Sequence, residues 1–461
     1  MKLTKLALIT GFAVSVFPFS AGAETSLSDI EARLNSLEKR AAEAEARAVA
    51  AEKKAERLES LMAQNTAPAG NTGKENTSGF SNIVSADNGK GSLKLYGDVE
   101  FNIDAASRKG QITSMHTQTG HGADDFGDKE RWDINGRILI GLDGQRKLDN
   151  GNYAGFSVQP LANMTGNIGL DDAVFYFGKE NKWKYKIGRY EAYDMFPLNQ
   201  DTFVEHSGNS ANDLYADGFG YIYMMKEGRG RSNHGGGMNL SSQYDNWYFE
   251  VNTLVEDGSR VFKDQEYHGR KLQNKKNVIY VRPVVAWNYD NVTIAGAVDA
   301  NVISNAYGFD NADGKFTDQS RRTGYGLTMK WDTLKDDPEN GVVVNLSTAY
   351  LDAKNENDFS AGTNILWRKF QLGYIYAHND IKSYQVVNAF DDSQYDTLNP
   401  GRYNIHTVFT SYELPDILGM DNFKTYLGAY YSHINGKGDM TMVDSKDNDR
   451  YGARVRFKYL F

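Results

Sequence analysis

The stretch 191–217 carries Asp194, Asp201, Glu205, Asp213 and Asp217 among Tyr193, Phe196, Phe203 and Tyr215, with neither helical nor strand periodicity. Carboxylates interleaved with aromatic rings suit neutral, hydroxyl-rich solutes. The acids exchange hydrogen bonds with hydroxyls, and the ring faces cover the apolar side of a sugar. Arg189 and Tyr190 stand directly before this stretch. Arg137, Arg282, Arg322, Arg454 and Arg456, with Lys458, fall on the polar faces of alternating segments elsewhere. Acids on one side of a narrow wet passage and guanidiniums on the other create a transverse field that favours polar solutes over apolar ones. The pattern predicts a channel constriction or sugar path built from Asp194, Asp201, Phe203, Glu205, Asp213, Tyr215, Arg137, Arg189, Tyr190, Arg282, Arg322, Arg454 and Arg456. An irregular loop of about 25 residues is unusual and often functional. The plainer alternatives are an ordinary outer loop, and arginines paired with neighbouring wall carboxylates.

Other chemistries find little support. The chain has no cysteine, which removes disulfide scaffolds, thiolate metal sites and cysteine nucleophiles. His116, His121, His206, His234, His268, His378, His406 and His433 are scattered, with no HExxH spacing. No metal or cofactor is expected. No G-x-S-x-G elbow is present. A wall-mounted lipase using His406 and Ser411 is the weakest reading, and no enzyme is expected. The run from Gly228 to Gly237 is basic and glycine-rich, but it lacks Walker spacing and reads as a turn. A net charge of −9 argues against a nucleic-acid partner.

The elements that would position these side chains follow from periodicity. Residues 1–23 have a basic start, a short apolar run and an Ala21-Gly22-Ala23 end, the pattern of a secretory signal peptide. Residues 24–62 read as a coiled-coil helix. Leu27, Leu34, Ala41, Ala48, Ala55 and Met62 fall at a, and Ile30, Leu37, Ala44, Ala51 and Leu58 at d. An alanine seam buries little, so self-association is expected without a defined oligomer number, and a solvated helical spacer is the alternative. Residues 63–90 are small, polar and aperiodic, a flexible linker.

Residues 91–461 repeat strand, turn, strand. In the last strand Tyr451, Ala453, Val455, Phe457, Tyr459 and Phe461 share one face, and Arg454, Arg456 and Lys458 the other. Low mean hydropathy (−0.58) combined with 12% aromatics fits strands with one wet face. Tryptophans 132, 183, 247, 287 and 331 lie near strand ends, as in the interface girdles of a membrane barrel. A bilayer cannot satisfy an open sheet edge, so the strands must close. The fold class is an all-β, antiparallel transmembrane barrel preceded by an α-helical coiled coil. Counting gives an odd strand number. Forward and backward counts disagree between about 190 and 245, where one strand is missed or over-counted. Sixteen strands are expected, with 18 as the alternative.

The order of signal peptide, coiled coil, polar linker and barrel resembles the enterobacterial sugar porins, or glycoporins. The coiled coil is similar to that of the sucrose porins. The barrel resembles the raffinose porin family most through FPLNQDTFVEHSGNSANDLYADGFGYIYMMKEGRGRS at 196–232. The opening LKLYGDVEFNID departs from the first strand of maltoporins and sucrose porins, so their aromatic slide is not carried over. The resemblance implies a passive, trimeric, sugar-permeable pore. The expectation is an outer-membrane porin for di- or oligosaccharides, with its coiled coil in the periplasm of a Gram-negative bacterium. Its partners would be carbohydrate solutes, outer-membrane lipid, two further copies and, at the coiled coil, periplasmic sugar-binding proteins. The alternatives are a general diffusion porin without a sugar site, or a barrel-anchored envelope tether.

Overall fold

Alternating strands in this chain close into one ring. The computed structural model describes residues 84–87, 91–106, 131–200, 222–231, 234–262, 265–267, 270–311, 313–382, 385–388, 391–397, 401–437 and 449–461. The signal peptide, the coiled coil and most of the linker read from the sequence lie outside these residues.

The main sheet has 17 antiparallel strands. One of them, Val84–Asp87, inside the stretch read as linker, pairs only with Ser92–Leu95 of the first wall strand. The remaining 16 form the ring, in chain order from Gly91–Ala106 to Asp449–Leu460. The first and last strands pair from Asp98↔Leu460 to Ala106↔Gly452. Gly97 and Phe461 complete the seam by exchanging backbone hydrogen bonds of 2.9 and 3.0 Å. Closure leaves no open edge for the bilayer to solvate. Among the described residues no helix is long and apolar enough to cross a membrane.

The period-two reading places side chains correctly on both faces. Phe101, Ile134, Ile138 and Phe457 face outward and are exposed, whereas Glu100, Asn102, Asn135, Arg454 and Arg456 face inward and are buried. Short turns join strands at one end: residues 148–151, 180–182, 245–246, 290–291 and 368–369. Most long connections join them at the other, which marks it as the extracellular end. Two outer connections, 164–167 and 354–355, are also short. The uncertain interval resolves as a long connection after Trp183–Arg189, with the next wall strand at Gly236–Tyr244.

Tryptophan placement follows the same geometry. Trp183, Trp247, Trp287, Trp331 and Trp367 sit at the short-turn ends of their strands, with Trp247 directly opposite Trp287. Trp132 stands at the extracellular end and is 75% exposed. Amphipathic rings at these levels suit the headgroup region.

Candidate channel site

The wall strand Trp183–Arg189 has only 7 residues. The chain then turns into the barrel. Tyr190, Ala192, Tyr193, Met195 and Phe196 are buried, as are Ile222 to Arg229 on the way back. The two limbs pair at their base, through a bridge between Glu191 and Gly230 and a 2.8 Å hydrogen bond from Ala192 N to Arg229 O.

Lumen-facing side chains of successive wall strands hold the outgoing limb. Tyr190 Oη donates to Asn252 Oδ1 at 2.9 Å, and Tyr193 N donates to Glu250 Oε1 at 3.0 Å. Farther round the ring, Leu198 O accepts from Asn364 Nδ2 and Gln371 Nε2, and Gln200 Oε1 accepts from Ser411 Oγ. The return limb retraces that arc. Ser360 Oγ donates to Tyr223 O, Arg322 pairs with Glu227 at 3.0 Å, and Gly228 N donates to Asp299 Oδ2 at 2.9 Å. The described limbs thus lie against the inner wall from Trp247–Glu256 to Gly401–Leu414.

Glycines make room for this lining. A β-carbon at Gly326 would stand 2.5 Å from Met225 Sδ, and one at Gly362 2.9 Å from the Phe196 ring. One at Gly228 would collide with Asp299 Oδ1. Asn199, Gln200, Met225 and Arg231 adopt positive φ without being glycine, a local cost held by the surrounding contacts.

Ion pairs staple the loop base. Arg229 reaches Glu191 at 3.1 Å and Asp194 at 3.3 Å. Arg231 reaches Asp171 at 3.0 Å, Asp172 at 3.1 Å and Glu191 at 3.3 Å. Burial alone would push the Arg229 pKa down, but Asp194 and Glu191 more than offset it and the pKa rises. The same balance holds Arg231 above its ordinary value, with Glu191, Asp171 and Asp172 outweighing burial. Burial, reinforced by the Asp194 and Glu250 charges, pushes the Tyr193 hydroxyl up to about 12. Both guanidiniums therefore stay charged and the phenol stays neutral at physiological pH.

The arginines expected to face the loop divide into two sets. Arg189, Arg282 and Arg322 belong to the loop and the wall that holds it. Arg189 donates to Leu170 O, Asp171 O and Arg231 O. Arg282 is fully buried, 4.0 Å from Glu250 and 3.8 Å from Asp299. Arg137, Arg454 and Arg456 instead form a polar ladder with the strand Gly91–Ala106. Arg454 grips Asp104 with two hydrogen bonds of 2.7 and 2.9 Å. Arg456 bonds Asn102 at 2.7 Å and pairs with Glu100 at 3.0 Å. Arg137 lies 3.6 Å from Asp98 and 3.7 Å from Glu100. Asn135 joins the ladder through Asn102 and Asp104.

Asp194 is engaged at the loop base and also caps Phe196 N at 2.9 Å. Asp201, Phe203, Glu205, Asp213 and Tyr215 lie outside the described residues. Glu227, Arg229, Arg231, Glu250 and Asp299 were missed from sequence. The phase argument used for Arg282 and Arg322 could have found Glu250 and Asp299. The basic Gly228–Gly237 run, read only as a turn, supplies two of the staples.

No curated protein sequence matches the chain. Among solved structures, OmpF of Salmonella typhi in complex with daunomycin is similar at 12% identity and TM-score 0.49, over 82% of this chain and 100% of that one. The anion-selective porin from Comamonas acidovorans is similar at 11% identity and TM-score 0.47, over 81% and 100%. A loop-deletion form of OmpT from Vibrio cholerae is similar at 12% identity and TM-score 0.47, over the same shares. A family model described as porin-like glycoporin RafY matches residues 95–461. That match takes in every wall strand but the first four residues of the first one, and by it the chain belongs to the glycoporin RafY family.

Proposed function

We propose that this outer-membrane porin passes di- and oligosaccharides by passive diffusion. The observation that carries the reading is the division of the lumen. The described loop limbs hydrogen-bond one arc of the inner wall, and a ladder of Arg, Asn, Asp and Glu side chains occupies the strands around the closure seam. A lumen whose inward side chains are polar on both arcs suits hydroxyl-rich solutes better than apolar ones. The family description as a glycoporin points to the same solute class.

The stretch 191–217 would narrow the passage, with Asp201, Glu205 and Asp213 as its acidic side and Arg137, Arg454 and Arg456 opposite. Phe203 and Tyr215 would offer ring faces to the sugar. The resemblance to sugar porins further implies a trimer, with residues 24–62 reaching into the periplasm behind a cleaved leader. There the coiled coil would aid assembly or hold sugar-binding proteins near the pore mouth.

Planar-bilayer conductance titrated with mono-, di- and trisaccharides tests the central reading. Saturable block that strengthens with chain length is expected. Absence of block at high sugar would leave a general diffusion porin, and absence of conductance a barrel that serves only as an anchor. Chemical crosslinking of membranes in place reads the oligomer.

A further inference from the structure

Arg282 is fully buried in the inner wall, yet none of its guanidinium nitrogens makes a hydrogen bond among the described residues. A guanidinium is a fixed positive charge with five N–H donors, and its strongest contacts are forked bonds to a carboxylate. Here it stands off from both neighbouring carboxylates, 4.0 Å from Glu250 and 3.8 Å from Asp299. The three side chains come from three adjacent strands, Trp247–Glu256, Val278–Tyr289 and Val292–Asn301, with the strand of the cation in the middle.

The two carboxylates turn their bonding oxygens to other donors. Glu250 Oε1 accepts from Tyr193 N of the outgoing limb at 3.0 Å, and its Oε2 accepts from Tyr248 Oη at 2.7 Å. Asp299 Oδ2 accepts from Gly228 N of the return limb at 2.9 Å. Each limb thus hangs by a backbone N–H from one carboxylate, and both carboxylates flank one cation that bonds neither limb. An N–H bonds a carboxylate more strongly than a neutral carboxyl group. A buried carboxylate without a counter-charge neutralises itself by taking up a proton. Arg322, on the next strand round, pairs with Glu227 at 3.0 Å. Arg282 is therefore the cation set between Glu250 and Asp299. Their three charges sum to one negative unit, and the donors Tyr193 N, Gly228 N and Tyr248 Oη lie against it.

We propose that Arg282 is a positioning residue for the inward loop. Its charge keeps Glu250 and Asp299 ionised, and through them it seats both limbs at once without a bond of its own. The role depends on charge rather than on guanidinium geometry. It holds whichever solute the pore carries.

The chain has no cysteine, so a single Ala192→Cys substitution can report the seating of the loop. Ala192 stands on the outgoing limb and is fully buried. The rate of its labelling by a hydrophilic maleimide is measured on the full-length barrel in membranes. Arg282→Met, added to this parent, keeps side-chain length without charge. It should speed labelling roughly tenfold, since one charge-assisted hydrogen bond corresponds to at least that factor. Arg282→Lys keeps the charge and should label at the parent's rate. Asp299→Asn should also speed labelling. The double variant Arg282→Met, Asp299→Asn should label no faster than the quicker of the two single variants, because both act on one contact. If Arg282→Met yields no folded barrel, Arg282→Lys and Asp299→Asn still carry the comparison. Parent-rate labelling of folded Arg282→Met or of Asp299→Asn overturns the proposal. So does fast labelling of Arg282→Lys, which would assign the residue to shape, and so do effects that multiply in the double variant.

Discussion

Arg322 on the wall and Glu227 on the inward loop form a buried 3.0 Å ion pair, and the same guanidinium lies 4.7 Å from the Tyr267 ring centroid. One side chain therefore joins the wall, the loop and the next extracellular connection. Removing one partner of a buried pair costs about 3–5 kcal/mol, because the other is left charged without its partner. Arg322→Ala should lower the unfolding temperature, read by heat-modifiable electrophoretic mobility, and raise open-channel current noise. Wild-type values for both would remove Arg322 from the seating of the loop.

Gly228 gives a narrower test. Its N–H donates to Asp299, and a side chain would meet that same carboxylate. Forcing an added methyl into a filled site costs about 1–3 kcal/mol. Gly228→Ala should leave the β-sheet circular dichroism intact and change the single-channel conductance, since only the loop need shift. A lost β signal with no folded fraction would place the role of Gly228 in the barrel wall.

Closure of the ring depends on Gly97. A β-carbon there would meet the Leu139 carbonyl and stand 2.5 Å from the Phe461 ring. Gly97→Ala should therefore reduce the folded fraction recovered in membranes. Gly314→Ala offers a control for handling, since nothing lies within 4 Å of its β position, although its φ of +68° carries a local backbone cost. Equal recovery of Gly97→Ala and wild type would contradict a tight seam.

Charge neutralisation on opposite sides of the passage should act in opposite directions. Arg137→Gln removes a positive charge beside Asp98 and Glu100 and should shift the reversal potential toward cation preference. Asp201→Ala or Glu205→Ala should shift it toward anions and alter sugar block. If both acidic variants match wild type, the proposed acidic side of the constriction is lost.

Deleting residues 24–62 should leave single-channel conductance unchanged while reducing any assembly the coiled coil supports. A collapsed conductance would contradict a periplasmic extension separate from the pore.

The wall was legible because period two is a local property. Glu100 against Phe101, or Arg456 against Phe457, can be assigned by counting alone. The interval 190–235 was not legible as structure, because most of the hydrogen bonds that seat its described limbs on the wall reach partners far away in sequence. Leu198 bonds Asn364 and Gln371, and Gln200 bonds Ser411. Phase placed Arg282 and Arg322 on the inner face correctly, but it could not tell that they hold the loop, whereas Arg454 holds Asp104. That distinction depends on which strand of the closed ring the loop leans against.

The loop limbs bonded from Glu250 round to Ser411 give the ring an uneven stiffness. That arc is double-walled, and its two layers must bend together. Lateral pressure from the bilayer, or the passage of a bulky solute, would be resisted there as along the splinted part of a hoop. Substitutions that detach a limb from this arc, such as Asn364→Ala, should widen the spread of conductance levels.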